Sequence, residues 1–570
     1  MTGTQANAAN EPDPKAWPPA WKIWANPIFR RYCRSRLRPR GLSVWILLSL
    51  LISGFLFFMF RQASLRFERM DLVDAERTPL IALLIFQGII LFLLGTGQVA
   101  GGMTAESDEG VLDYQRLAPM SPLAKVLGYL FGLPIREYVL VLVTMPFSLW
   151  SLWRGEVPLN IALQLYGIFF TAGVMYHLTG LLAGTVVKNK RWAFLASMGV
   201  IFLLYTVIPQ MAKFGLVYFK YVTIMPVFEE CYPHLIPRDA QAAAETLQRI
   251  LPSAKFFNLD FPQVVFTLLS QGVLIVTMMV MLWRRWRRSE SHLLGKAWAT
   301  VFFGWVQLVL LGNALPLIES GALFPSRGFN SFLGRFRIRG SWQPEPWEPV
   351  IMVGCYGVVT LAILWVMMLM VSPNAETRLR GWRRVRKLGQ RRFSLIADPA
   401  TAFPWMLLMA GMGSAGWFVF ARELVESRWF AGQEVPTMAL GAFALVMATG
   451  GLGFHALLEG RGPRASGMAV IFIGVVPIMV GSVLGTMGFS VVATWLLAIS
   501  PVMAPMYASG VMMPMTDAGA DIMRSLPRAF WFWQLVGIIM LARLMHGLRQ
   551  SLRTIAKQAD EEGKVLPDES

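Results

Sequence analysis

Long apolar runs with few charges, broken by short polar and often basic stretches, make up almost the whole of this chain. An apolar run of about 18 residues or more can span about 30 Å of hydrocarbon as helix. Twelve such runs occur, near 43–60, 79–101, 133–152, 159–187, 192–212, 262–283, 297–318, 349–371, 403–421, 436–458, 468–488 and 528–547. Small residues recur at close-packing spacing, as in Gly180-x-x-x-Gly184, Gly411-x-Gly413-x-x-Gly416 and Gly450-Gly451-x-Gly453, which lets helix backbones approach one another. The pattern predicts an all-α, polytopic membrane helix bundle of about twelve transmembrane helices.

A further apolar piece, 489–511, breaks the pattern. The run from Ile499 to Pro514 carries Pro501, Pro505 and Pro514. Proline removes a helical hydrogen bond, and irregular backbone survives at membrane depth only where protein or a water-filled cavity surrounds it. The piece is therefore expected to dip in and return on the outer side, not to cross. A first-half counterpart lies at 214–230, with Pro226, Pro233 and Pro237.

Composition agrees with this class: 55% of residues are apolar, mean hydropathy is +0.51 and 15% are charged, against about 25% charged in soluble domains. The net charge of +18 raises nucleic-acid binding, but its distribution excludes that reading. The basic residues sit in blocks beside the spans: Arg30 to Arg40, Arg284 to Arg288, Arg378 to Arg392 and the KNKR turn at 188–191. Cytoplasmic loops collect Lys and Arg, and such blocks also meet anionic lipid head groups. All four fall on one side when the amino terminus is cytoplasmic. Outer loop 319–348 is discordant, since it holds Arg327, Arg335, Arg337 and Arg339. With 489–511 re-entrant, the tail bearing Arg543, Arg549, Arg553 and Lys557 is cytoplasmic as well.

Two halves of similar plan follow: a basic and interfacial amino-terminal segment, 1–42; a six-span half, 43–290; a second, 291–548; and a charged cytoplasmic tail, 549–570. The repeat is architectural. Its residue-level echo is slight, MGVIF from Met198 against MAVIF from Met468.

Candidate chemistry is sparse. No GxxxxGK[ST] phosphate loop occurs, so the chain carries no nucleotide cradle of its own. Cys33, Cys231 and Cys355 are scattered and read as isolated thiols. No cleavable signal precedes the first run, which reads as an uncleaved anchor. His177 and His455 lie in the fourth and tenth spans without a metal-ligand set; each reads as a packed core histidine with one ring nitrogen satisfied. Arg136 and Glu137 either mark a pathway inside the membrane or, with Pro134 opening the span, lie at the interface with Arg136 snorkelling. The interfacial reading is preferred. The stretch 239–251 reads as an amphipathic outer-surface helix, and Trp17, Trp21 and Trp24 as an interfacial belt. No cofactor, metal or catalytic residue is expected.

The segment Thr104–Gly128, between the second and third spans, carries the functional signal. An acidic cluster leads to a glycine, then spaced leucines, a Pro-Met-Ser turn and a second glycine: Glu106, Asp108, Glu109, Gly110, Leu112, Leu117, Pro119, Ser121 and Gly128. This resembles the coupling region of ABC permeases of the type-2 exporter class. The resemblance implies a short helix at 104–121 across the mouth of a helical hairpin, docking a cytoplasmic ABC ATPase subunit through Glu106, Asp108, Glu109, Gly110, Leu112, Leu117, Pro119 and Ser121. It also implies an exporter permease of a bacterial plasma (inner) membrane, both halves fused in one chain and ATP hydrolysed by a partner. The same residues also fit a solvated acidic turn. The basic linker 372–402, in the equivalent place of the second half, lacks the pattern. The rival functions are a secondary transporter or flippase of another helical class, for which the spans hold few acids, and a membrane subunit without transport. A membrane-embedded enzyme would need clustered His, Asp or Cys at one membrane face, which the five scattered histidines do not supply.

Overall fold

A computed structural model describes residues 19–187, 189–238, 253–288, 291–326, 343–389, 394–430, 433–513 and 519–565, the last seven as backbone alone. Trp17, Lys188, the 239–251 stretch, the four arginines Arg327 to Arg339, Arg391, Arg392 and Pro514 lie outside the described residues.

Among the described residues the chain is helical save for one hairpin, Ala254–Phe256 antiparallel to Leu259–Phe261. Twelve helices have the length and composition to cross a membrane: Pro39–Arg66, Leu72–Asp108, Ile135–Arg154, Leu159–Val186, Lys190–Ala212, Gln263–Arg287, Lys296–Ser320, Glu348–Val371, Phe403–Val425, Met438–Arg461, Pro463–Thr486 and Ala520–Gln558. They are numbered below as spans one to twelve, and they fall on the twelve expected runs. Two overshoot. Span two is 37 residues long and absorbs the start of the acidic segment. The helix of span twelve continues to Val565.

Contacts divide the chain into two compact units. One comprises Met1–Leu203, Val227–Arg249 and Leu268–Ser289; the other comprises Leu204–Pro226, Ile250–Thr267 and Glu290–Ser570. In the second, Tyr221 packs on Phe266 with ring centroids 4.8 Å apart. The Phe257 amide donates to the Gly312 carbonyl at 2.8 Å. Trp417 stacks on Phe443 at 4.4 Å and donates its indole N–H to the Val353 carbonyl at 3.0 Å.

Spans two and eleven each contain a π-helical stretch, Ile89–Gly95 and Val470–Val475. Such bulges disturb the i→i−4 ladder and leave carbonyls for other partners. His177 Nε2 lies 3.0 Å from the Leu91 carbonyl, and its Nδ1 lies 3.0 Å from the Tyr138 hydroxyl. Both ring nitrogens are thus engaged, where the sequence led us to expect one. In span eleven, the Ser500 hydroxyl donates to the Gly474 carbonyl at 2.6 Å.

Ser500 sits in the turn between two short helices, Ser490–Leu497 and Ala504–Met512. The Tyr507 hydroxyl donates to the Thr494 carbonyl at 2.5 Å, folding one limb onto the other. Gly474 is near the middle of span eleven, so the hairpin tip reaches mid-span depth, as a re-entrant segment does. Pro505 lies in the first turn of its helix, where the missing N–H would have no partner anyway. In the first half, 214–230 is also discontinuous, a 3-10 turn Val217–Val222 followed by a helix Met225–Leu235. Cys231 lies 4.0 Å from the Ile161 carbonyl, beside the first turn of span four and not midway along it.

Candidate partner-docking site

The site begins where span two ends. Gly110 has φ +71°, a left-handed conformation that strains any residue with a β-carbon. It turns the chain into a seven-residue helix, Val111–Leu117. Beyond Pro119, the Ser121 hydroxyl accepts the Ala124 amide at 3.2 Å and caps the next helix, Pro122–Gly132. A helix does form in the linker between spans two and three, but it is shorter than the expected 104–121. Glu106 and Asp108 belong to the end of span two, because nothing before Gly110 breaks the helix.

Lys125 fixes the short helix from below. Its ammonium donates to the carbonyls of Arg116 and Ala118 at 3.2 and 3.0 Å. Burial, and secondarily Arg116, lower its pKa below the usual lysine value. Leu112 is buried, 6% exposed, in a core that includes Met103, Tyr129 and Trp286. Asp108, Glu109, Asp113, Pro119 and Ser121 are exposed, as are Tyr114 at 78% and Leu117 at 84%. Asp113 pairs with Arg116 at 2.5 Å, an exposed bridge of small energetic weight.

Two expected docking residues are turned inward. Leu112 fills this unit's own core. The Glu106 carboxylate is held by the Arg31 guanidinium and by the hydroxyls of Tyr32 and Tyr129. Burial, reinforced by the charge of Glu106, pushes both phenols above their ordinary pKa, so they remain hydrogen-bond donors. Tyr129 also stacks on Trp286 at 5.4 Å. A carboxylate with three donors is spent on tying elements together and is not available to a partner.

That cluster joins span two to an amino-terminal helix, Pro27–Arg36. Asn26 caps this helix by accepting the Ile28 amide at 2.9 Å, and its side-chain amide donates to the Ala124 carbonyl at 2.6 Å. Gly128 and Gly132 let the two helices touch. A β-carbon at 128 would lie 2.8 Å from Asn26 Oδ1, and one at 132 would lie 2.9 Å from Tyr32 Cδ2 and 3.4 Å from the Phe29 backbone. Gly128, marked in the sequence as part of a docking motif, thus serves helix packing.

Sequence reasoning missed Tyr114, Arg31, Tyr32 and Tyr129. Tyr114 was within reach: with Leu112 buried, a residue two positions on lies about 200° round the helix and faces water. The partners of Glu106 were not, since they come from segments far off in sequence.

The second-half linker is built differently. A helix Ala375–Lys387 inserts Arg378 against the buried Glu459 of span ten. The same carboxylate accepts the Thr401 hydroxyl at 3.1 Å and the Ala402 amide at 3.0 Å, while His455 Nδ1 lies 3.6 Å away. Neither ring nitrogen of His455 makes a hydrogen bond among the described residues, where one was expected to be satisfied; Glu459 is its carboxylate neighbour at the i,i+4 spacing. Lys296 donates to the carbonyls of Ala397 and Ala400 at 2.5 and 2.7 Å. The exposed residues of this linker helix include Arg380, Arg383, Arg384 and Lys387, a basic surface where the first half presents an acidic one.

Arg136 and Glu137 pair at 2.6 Å in the first turn of span three, with Arg136 over the Trp45 ring at 5.1 Å. Among the described residues, no three His, Cys, Asp or Glu side chains gather closely enough to hold a metal ion. Comparison with protein-family models, with curated proteins and with solved structures finds no match for this chain.

Proposed function

We propose that this chain is the transmembrane subunit of an ABC-type exporter, driven by a separate cytoplasmic ATPase. The observation that carries the reading is the short helix Val111–Leu117. It projects Tyr114 and Leu117 into solvent beside Asp108, Glu109 and Asp113, yet Leu112 and Lys125 fasten it firmly. An exposed tyrosine rimmed by charge suits a protein partner. A rigid attachment suits the transmission of displacement to span two and to Pro122–Gly132. The chain itself performs no covalent chemistry in this scheme. Its basic linkers and both termini face the cytoplasm of a bacterial plasma membrane, in keeping with the positive-inside tendency.

The test is co-expression with an ATPase bearing Walker motifs encoded beside this chain, followed by co-purification and assay of ATP hydrolysis. Stable association and hydrolysis dependent on residues 108–117 are expected. If no such ATPase is encoded nearby and none co-purifies from membranes, the exporter reading fails and a secondary transporter becomes the better account.

A further inference from the structure

The amino-terminal helix Pro27–Arg36 has two faces. Ile28 and Tyr32 are pressed against Pro122–Gly132. The opposite face carries Arg30 and Arg34 one turn apart, and Arg38 follows just beyond the helix end in extended backbone. Together with Ala25, Pro27, Arg31 and Ser35 they line an open groove of about 390 Å³, within the range of about 300–1,000 Å³ typical of small-molecule sites.

Every charged side chain lining this groove is an arginine. Glu106 reaches Arg31 from the buried side of the helix, and Arg30 Nε donates to the Trp24 carbonyl at 2.9 Å. Arg34 and Arg38 are exposed, and neither forms a hydrogen bond or ion pair with another described side chain. Gathered guanidiniums repel one another until an anion sits among them. Their planar forks suit a phosphate, which accepts two parallel hydrogen bonds from each.

Position selects the source of the phosphate. Span one begins at Pro39, the residue after Arg38, so the groove lies within about a turn or two of the hydrocarbon. Just before the helix, Trp21 and Trp24 are each 63% exposed and packed edge to face at 6.2 Å. Exposed tryptophans settle at head-group level, which places the groove there too.

We propose that this arginine groove binds the phosphate of an anionic membrane lipid, gripped by Arg34 and Arg38 and flanked by Arg30 and Arg31. This rests on the amino-terminal segment alone and stands apart from the exporter reading. Because Arg31 also holds Glu106, a bound head group would pin the end of span two to the membrane surface through the helix.

The experiment uses the full chain in a neutral detergent, titrated with short-chain phosphatidylglycerol while thermal unfolding is followed. A saturable rise in midpoint is expected, absent with matched phosphatidylcholine. Arg34→Gln with Arg38→Gln should weaken the apparent affinity about thirtyfold, from two lost charges near the surface, whereas Arg549→Gln with Arg553→Gln should leave it unchanged. An equal response to phosphatidylcholine overturns the proposal, as does an undiminished response in the groove variant or equal losses in both variants. A shift reproduced by inorganic phosphate at the same concentrations overturns the lipid source. If the double groove variant does not fold, Arg38→Gln alone, beyond the helix end, carries the test with an expected loss of about fivefold.

Discussion

Leu117→Asp and Leu112→Ala should fail in opposite ways, although both leucines lie on the same seven-residue helix. Leu117 is 84% exposed and has little packing of its own to lose. Its replacement should leave unfolding within about 0.5 kcal/mol of the parent, as for most surface changes. If the side chain fills a groove on the ATPase, its loss removes about 1.5–3 kcal/mol of apolar burial. That weakens association about ten- to hundredfold. Leu112 is 6% exposed beside Met103 and Trp286, so truncation should cost roughly 2–5 kcal/mol of stability through the lost contacts and the cavity left behind. Any effect of Leu112→Ala on binding should be secondary to loosening of the helix. The assay titrates the purified ATPase against the full chain in lipid nanodiscs, with ATP hydrolysis as a second readout and thermal unfolding in parallel. Single charge changes at Asp108 or Glu109 serve as weak controls, expected to cost about 1 kcal/mol or less. A Leu117→Asp chain that folds, binds and supports hydrolysis like the parent would refute docking through this helix.

The remaining expectations concern the supports of the site and its orientation. Glu106→Ala leaves the Tyr129 hydroxyl unpaired, at about 1–3 kcal/mol for a buried group without a partner, while the Tyr32 hydroxyl keeps the bond it accepts from Arg31. Arg31, partly exposed, should add little. Hydrogen exchange over 27–36 and 122–132 should quicken, while that over the second unit stays unchanged. Gly132→Val drives a β-carbon towards the Phe29 backbone and should cost roughly 1–3 kcal/mol, read as a lower thermal midpoint. With the Tyr32 and Tyr129 pKa values raised in the fold, their stabilisation is complete below about pH 10, the unfolded phenol value. It should fall as pH climbs beyond that, and the alkaline loss of thermal midpoint should be smaller in Tyr32→Phe with Tyr129→Phe. Single cysteines in a cysteine-free background should label from outside at Met70→Cys and not at Glu109→Cys or Lys387→Cys; the reverse pattern would invert the orientation.

Hydropathy alone was enough for the architecture, because a membrane span must satisfy its own backbone hydrogen bonds and needs about 20 apolar residues to do so. That demand is local, so all twelve spans were legible in the sequence. The break at 489–511 was legible for a related reason, since proline acts on its own helix. The bounds of the short helix Val111–Leu117 were half legible: Gly110 and Ser121 are local signals, but the acidic cluster suggested a helix beginning at 104. Only the tertiary structure decided which of those acids are exposed. Glu106 and Asp108 lie two residues apart on one helix end. One meets Arg31, Tyr32 and Tyr129, brought from two other segments, and the other meets water. The same holds for Leu112 and Leu117, alike in sequence and opposite in burial. The role of a charge or a leucine depends on what folds over it, and these neighbours come from distant segments that no local pattern encodes.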